Sequence, residues 1–271
     1  MIFYDFFGPG ITAAFSERGG GVAPMPGHSL NLSFSREPGG VRENVTENYR
    51  IAASALGTDV GAVTRMPQVH GSSVLRVTAG LRGAGVTEEI PRELLEHGFD
   101  ALITDVPGIM LSTTHADCTP VLLSDPGRPA VGAVHSGWKG TCLKISSAAV
   151  KRMTAEFGSE PRTMRAVIGP AISMKHFEVR RDVMERFCDA FGEKELRSAG
   201  LLSGPSGDPS DPRWHVDMPG CVKLTLLEAG LSGDNIFASE ACTYSDAERF
   251  FSHRRDGAGS GAMAAFIGID L

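Results

Sequence analysis

Between Ala101 and Val134 the chain passes through four short apolar segments: Ala101–Thr104, Met110–Thr114, Val121–Leu123 and Ala130–Val134. No other feature limits the fold as much. Each segment is partly β-branched and bounded by Pro-Gly or Asp-Pro turns, the pattern of buried strands. Helical periodicity flanks them. Val41 to Leu56 carries Val41, Val45, Tyr49, Ala52 and Leu56 on one face, with Gly57 as its stop. Cys142 to Phe157 turns Cys142, Ile145, Ala149 and Met153 inward and ends at Gly158. Further helices are expected near Asp182–Phe191 and Pro219–Ala229, and further strands at Ser73–Thr78, Ala166–Ile168 and Met263–Ile269. Residues 8–40 and Ser203–Pro212 are rich in Gly and Pro and read as loops, and residues 79–98 as a polar rim. Strands and helices alternate irregularly and no internal repeat is present. Mixed sheets of an α/β (α+β) fold are therefore expected in place of a doubly wound one.

At 271 residues the chain can form one large domain or two small ones, and 42% hydrophobic content can bury a sizeable core. A net charge of −6 supplies no global basic field, which argues against nucleic acid or an anionic membrane as a general partner. The five cysteines are odd in number and lack framework spacing, so they read as reduced thiols. The N-terminus has no basic run, and no segment approaches the roughly 18 apolar residues of a membrane span. A cytoplasmic location is expected.

Chemistry concentrates at the ends of the strand-like runs. His70 lies in Gln68-Val69-His70-Gly71, Cys118 in His115-Ala116-Asp117-Cys118-Thr119-Pro120, and His135 in Val134-His135-Ser136-Gly137-Trp138-Lys139-Gly140. Forty-seven residues separate His70 from Cys118 and sixteen separate Cys118 from His135, too loose for a zinc finger. Each nevertheless sits beside a turn, where side chains can converge at a sheet edge. A thiolate with two imidazoles suits Zn²⁺ and also suits copper, and three protein ligands leave one position open. Taken singly, Cys118 reads as a small buried hydrophobe and the histidines as satisfied loop residues. The polar company of His115, Asp117, Trp138 and Lys139 favours a site.

The motifs Ser29-Leu30-Asn31-Leu32-Ser33, Val41-Arg42-Glu43-Asn44 and Gln68-Val69-His70-Gly71 recur in order with Ala116-Asp117-Cys118-Thr119-Pro120 and His135-Ser136-Gly137-Trp138-Lys139-Gly140. Ile168-Gly169-Pro170-Ala171-Ile172 and Phe251-Ser252-His253-Arg254 complete the set. Over nearly its whole length the chain thus resembles the multicopper polyphenol oxidoreductase/laccase-like family, now regarded as purine nucleoside phosphorylases with adenosine deaminase activity. The resemblance implies a single domain over residues 1–271, built as a layered sandwich of mixed β-sheets flanked by helices, of cysteine-hydrolase-like toxin type. It implies a Zn²⁺ site of His70, Cys118 and His135, with Cu²⁺ as the other candidate. It also implies phosphorolysis of adenosine, inosine, guanosine and 5′-methylthioadenosine, together with adenosine deamination. A purine nucleoside and phosphate are then the expected partners, and a monomer or small homo-oligomer the expected state.

Arg42, at a helix start, and Arg254, beside His253, are candidate phosphate or substrate ligands; Arg42 could equally be a solvated helix residue, and Arg254, flanked by Arg255 and Asp256, a salt-bridge partner. Cys118, His135 and Asp117 are the candidate catalytic set. Asp117 or His115 could shuttle protons, and Asp117 could equally fix its loop or a ligand imidazole. Asn31 could bond base or ribose, or satisfy its own turn. Lys139 stands where the family commonly has arginine, which exchanges a bidentate fork for a point charge. Met174-Lys175-His176 stands where many relatives carry cysteine, and Cys242-Thr243-Tyr244-Ser245 is a reduced version of a Cys-rich stretch. His176-Phe177-Glu178 resembles half of a nucleobase-deaminase motif, but no P-C-x-x-C follows. Gly257-Ala258-Gly259-Ser260-Gly261 reads as a loop at the pocket mouth. Three other readings stay open: a copper phenol oxidase, a Cys118–His135 hydrolase, and a metal- or nucleotide-binding interaction module.

Overall fold

The central apolar run forms strands, and their alternate residues feed different layers. The computed structural model describes residues 1–24, 29–35 and 42–271. In chain order the elements begin with β1 (Ile2–Phe3), β2 (Ile11–Phe15), α1 (Arg42–Ala55), β3 (Val63–Thr64), β4 (Val74–Arg76) and α2 (Arg92–His97). The centre holds β5 (Ala101–Thr104), β6 (Met110–His115), β7 (Thr119–Asp125), β8 (Ala130–Ser136), α3 (Trp138–Cys142), α4 (Ile145–Phe157) and β9 (Arg165–Ile168). Then come β10 (Glu178–Val179), α5 (Arg181–Phe191), α6 (Glu193–Ser198), β11 (Leu202–Ser206), β12 (Arg213–Val216) and α7 (Met218–Glu228). The chain closes with β13 (Ile236–Ala238), α8 (His253–Asp256) and β14 (Met263–Ile269).

A five-stranded sheet of order β1-β2-β14-β6-β3 faces a six-stranded sheet of order β13-β9-β7-β8-β5-β4, and a small sheet β10-β12-β11 stands apart. Both large sheets are mixed: β14 pairs antiparallel with β2 and β6, whereas β3 joins β6, β4 joins β5 and β13 joins β9 in parallel. Between the sheets lies a core that includes Phe15, Leu111, Leu122, Val131, Val167, Ala265 and Ile267. The opposite strand faces meet helices. Val121, Leu123 and Val134 pack with Ile145, Ala149 and Met153 of α4 and Val222 and Leu226 of α7. On the other side, Met110, Ala264 and Phe266 pack with Val45, Tyr49 and Ala52 of α1. With helix on sheet on sheet on helix, the period-2 alternation of each strand splits between two buried faces. That explains why these strands read as continuous apolar runs, and it is the layered mixed-sheet sandwich expected.

Several local expectations are corrected. Residues 8–40 are not all loop: Ile11–Phe15 forms β2, paired along its length with β14. Cys142–Phe157 is not one helix, because Lys144 adopts φ +56° and separates α3 from α4. The first half of Ser203–Pro212 joins the exposed strand β11, stabilised by pairing with β12. Strand β4 is shorter than Ser73–Thr78, and Gly257–Gly259 forms a 3₁₀ turn. Val41 of the first helix lies outside the described residues. No helix among the described residues is long and apolar enough to cross a membrane.

Candidate metal centre

Strand β6 belongs to one sheet and β7 to the other, so Ala116-Asp117-Cys118 is the crossover between layers. So abrupt a turn needs an unusual backbone, and Asp117 takes φ +85°. A left-handed non-glycine residue costs on the order of 1–3 kcal/mol and persists only when its surroundings hold it. Here they do. The Thr243 hydroxyl donates to Asp117 Oδ1 at 2.6 Å, and the Arg254 backbone N–H donates to Oδ2 at 2.6 Å. The Asp117 carbonyl accepts from Ile172 N–H at 3.0 Å. Both carboxylate oxygens are thus engaged in presenting Cys118.

His135 reaches the same place from the end of β8, opposite Pro120 in the β7–β8 ladder. His70 comes from the loop before β4 and also adopts a left-handed backbone, at φ +60°. One residue organises the His135 ring and the backbone that carries His70. The fully buried Asp100 carboxylate accepts from the backbone N–H groups of Val69 (3.2 Å), His70 (3.0 Å) and Gly71 (2.7 Å), and pairs with His135 Nδ1 at 2.8 Å. Burial alone would raise the Asp100 pKa; the hydrogen bonds from His135, Gly71 and Val69 outweigh it and hold the carboxyl below its ordinary range. With Nδ1 occupied, His135 presents Nε2 to Cys118.

The ligand atoms of His70, Cys118 and His135 lie within 4.8 Å of one another, and the two rings meet edge to face at 4.9 Å between centroids. Gly137 supplies a second sign of a reserved volume. A Cβ there would stand 2.8 Å from His70 Cδ2, 3.1 Å from Cys118 Sγ and 3.6 Å from His135 Cε1. The His₂Cys donor set, the imidazole orientation fixed by Asp100 and this glycine cradle together fit a Zn²⁺ or Cu²⁺ ion. Accordingly, Gly137→Ala is expected to weaken metal retention at least about tenfold while leaving the thermal transition of the sandwich within a few degrees, read by chelator competition and calorimetry.

The family model described as multi-copper polyphenol oxidoreductase laccase matches residues 12–270. The chain belongs to that family. A Bacillus subtilis relative named purine nucleoside phosphorylase YlmD is 32% identical over 259 residues, covering 96% of this chain and 88% of the relative. A Deinococcus radiodurans relative named purine nucleoside phosphorylase is 36% identical over 260 residues, with 96% and 89% covered. Among solved structures, the Bacillus licheniformis hypothetical protein YfiH superposes with a TM-score of 0.86 at 31% identity, covering 96% of this chain and 93% of that one. YlmD from Geobacillus stearothermophilus superposes at 0.83 and 30% identity, with 99% and 94% covered.

In this laccase-like chain two cavities meet at the metal ligands, sharing His70, Ala116 and Cys118 as walls. The larger, about 400 Å³, is lined by Trp138, Ile172, Phe177 and Met218 with Asp117, His253 and Arg254. The smaller, about 120 Å³, is lined on its polar side by Ser33, Ser35, Arg65, Gln68 and His115. It adjoins an outer cavity of about 780 Å³ that also contains Arg42. Of the expected substrate ligands, His253 and Arg254 reach the larger cavity. The Arg254 guanidinium donates to the carbonyls of His176 and Glu178, and His253 Nδ1 bonds the Gly257 carbonyl. Arg42 lies in the outer cavity, its guanidinium 4.7 Å from the Phe34 ring. Asn31 is buried, and its Oδ1 accepts from Ser33 N–H and Ala262 N–H, which serves the turn. Exposed Lys139 lies over the Trp138 ring, away from both cavities. The sequence reading missed Asp100, Arg65, Gly137 and Thr243. The one available signal was Asp100 standing directly before an apolar strand.

Electrostatically the ligands form one coupled set. Burial would raise the Cys118 thiol, but His135 and His70 outweigh it and bring it down to about 6. Burial would lower His135, but Cys118 and Asp100 outweigh it and raise it to about 9. His115 is 3% exposed, and burial together with nearby His135 pushes it down to about 3. In metal-free protein the thiolate–imidazolium pair therefore exists between about pH 6 and 9. Its stabilisation is lost as pH falls through the depressed thiol value, and also as pH rises through the elevated imidazole value. Alkylation at the Cys118 peptide, followed by mass spectrometry on metal-free protein, should rise with a midpoint near pH 6. Cys142, which burial pushes up to about 12, should stay unreactive there. A Cys118 midpoint near 9 would contradict the pairing.

Proposed function

We propose that this chain is a Zn²⁺-dependent purine nucleoside phosphorylase, acting on adenosine, inosine, guanosine and 5′-methylthioadenosine, with adenosine deamination as a second activity. The observation that carries the reading is the three-ligand cluster open to two cavities, one of nucleoside size. Ligand pockets usually measure roughly 300–1,000 Å³, so the 400 Å³ cavity suits a nucleoside, and Trp138, Phe177 and Ile172 offer apolar walls to a purine. The names of the relatives support the same substrate class.

In phosphorolysis the bond from C1′ to the base nitrogen breaks, a phosphate oxygen bonds C1′, and the base leaves with a proton. A metal held by His70, Cys118 and His135 would supply a Lewis acid at the wall between the cavities. Asp100 fixes the His135 imidazole and the backbone of the loop that carries His70, Asp117 fixes the loop that carries Cys118, and the aromatic walls exclude water from the base. Arg254 sets a fixed positive charge at the cavity edge. Purified protein is expected to hold about one zinc per chain and to release adenine and ribose 1-phosphate from adenosine only when phosphate is present. Metal-free protein without nucleoside turnover would sink the reading.

The Asp100–His135–Cys118 chain of contacts also has the geometry of a thiol nucleophile, base and orienting acid, which is the second reading. A multicopper oxidase has less support. Among the described residues only one cluster of potential metal ligands exists.

A further inference from the structure

We propose that the small chamber behind the metal ligands is an oxyanion seat that takes inorganic phosphate, with Arg65 and His115 as its binding residues. The proposal rests on the phosphorylase reading for its choice of ligand, but its evidence is the chamber itself. His115 is 3% exposed, lines the chamber, and neither ring nitrogen has a hydrogen-bond partner among the described residues. Whatever its protonation state, an imidazole carries at least one N–H to give. Among the described residues Arg65 Nε is likewise buried without a partner and no carboxylate pairs with the guanidinium, which lies 5.3 Å from the Phe34 ring. Ser33 Oγ and Ser35 Oγ stand 3.1 Å apart; one donates to the other, leaving a second hydroxyl proton for a ligand.

Buried polar groups are almost always satisfied, so unpartnered donors converging on one cavity mark a missing ligand. The ligand's charge follows from the walls. Among the described residues no Asp or Glu lines this chamber, the Cys118 thiolate on its wall is committed to the metal cluster, and Gln68, whose oxygen accepts from Thr114 and one of whose amide N–H groups donates to the Thr114 carbonyl, keeps a second N–H that suits an anion. Its size follows from the volume: about 120 Å³ is far below a nucleoside pocket but admits a tetrahedral anion. Arg65 also lines the outer cavity with Arg42, and both guanidiniums lie against Phe34; Glu88 and Glu89 line the same cavity, so the unopposed positive charge is confined to the seat and the outer cavity is mixed in sign. Phosphate thus approaches the shared wall of His70 and Cys118 from one side, and nucleoside from the other. This makes Arg65 and His115 positioning residues for the attacking oxygen.

The test is calorimetric titration of the metal-loaded protein with inorganic phosphate and, separately, with adenosine. Arg65→Gln and His115→Phe should each weaken phosphate binding about tenfold or more, the loss of one charge-assisted or buried hydrogen bond. Both should leave adenosine affinity within about twofold, and Arg42→Gln should weaken phosphate by a smaller factor because it lies outside the seat. A measurement on unmutated protein needs no variant to fold: phosphate, and not adenosine, should shift the His115 ring signals in ¹⁵N-histidine spectra. Phosphate affinity unchanged in both seat variants, or His115 signals unmoved by saturating phosphate, would overturn the assignment. Phosphate binding at Arg65 and His115 without any phosphate-dependent base release would keep the seat and discard the phosphorylase reading. Phosphate-dependent release with unaltered phosphate binding in both variants would do the reverse.

Discussion

Asp100→Ala is expected to destabilise the folded protein by about 3–5 kcal/mol and to weaken metal binding by about 10–100-fold. The carboxylate is fully buried and takes four donors: three consecutive backbone N–H groups and His135 Nδ1. Alanine leaves all four without an acceptor, and it frees the His70 backbone from the contact that holds its φ of +60°. The His135 imidazole loses its partner and the loop that carries His70 loses its anchor together, so the metal effect exceeds what loss of a single ring contact would give. Asp100→Asn should be milder in stability, since one amide oxygen still accepts, yet it turns an NH₂ toward N–H groups and should still weaken the metal. Because the folded-state carboxyl is held below the ordinary 3.8, its stabilisation is fully present above that pH and is lost as pH falls toward the lower folded value. The gap between wild type and Asp100→Ala in urea melts of the metal-free protein should therefore be widest between about pH 5 and 8, narrow in acid, and narrow again as pH rises through the elevated His135 value of about 9. An equal gap at pH 3 and pH 7, or unchanged chelator competition, would contradict the role assigned to Asp100.

The contrast between Asp100 and Cys118 explains what could be read from the chain. Cys118, His70 and His135 are legible because thiol and imidazole are rare, chemically specific groups, and each stands beside a turn at the end of an apolar run. Asp100 is an ordinary residue type whose importance arises only when β5 brings it beneath the 69–71 loop, a contact invisible to local pattern. The same distinction runs through the fold. Ala101–Thr104 and Met263–Ile269 are legible as strands because both of their faces are buried and their composition is continuously apolar. Ile11–Phe15 has the same character but is short and framed by Gly8, Pro9 and Gly10, and its partner β14 is some 250 residues away in sequence. The break at Lys144 carries no glycine or proline to announce it, and hydrophobic spacing continues across it from Cys142 to Ile145. Leu202–Ser206 contains Gly204 and Pro205, and only its pairing with β12 makes it a strand. His115 and Arg65 could be noticed as residues, but their lack of partners is a property of packing.

Cys118→Ala should remove the anionic ligand and leave two imidazoles, lowering zinc affinity by roughly a thousandfold or more and, with it, phosphate-dependent base release by a similar factor. The fold should survive, because Cys118 sits in the inter-sheet crossover and outside the main apolar clusters, while Asp117 keeps its bonds to Thr243 and Arg254. On its own this variant does not separate a metal ligand from a thiol nucleophile, since either role ends with the sulfur. His70→Ala does. Its ring is neither base nor orienting acid in the nucleophile relay, although it also bonds Cys118, and its backbone N–H to Asp100 is retained in the variant. If the ion is the working group, His70→Ala should lose metal and turnover almost as completely as Cys118→Ala. If Cys118 acts as a nucleophile with His135 as base and Asp100 behind it, His70→Ala should stay active without metal, with its pH profile moved upward because His70 no longer helps lower the thiol, since both contacts of that relay remain. Metal content and turnover measured side by side for the two variants therefore decide which chemistry the crossover loop was built to present: parallel losses support the ion, and an active His70→Ala protein without metal refutes it.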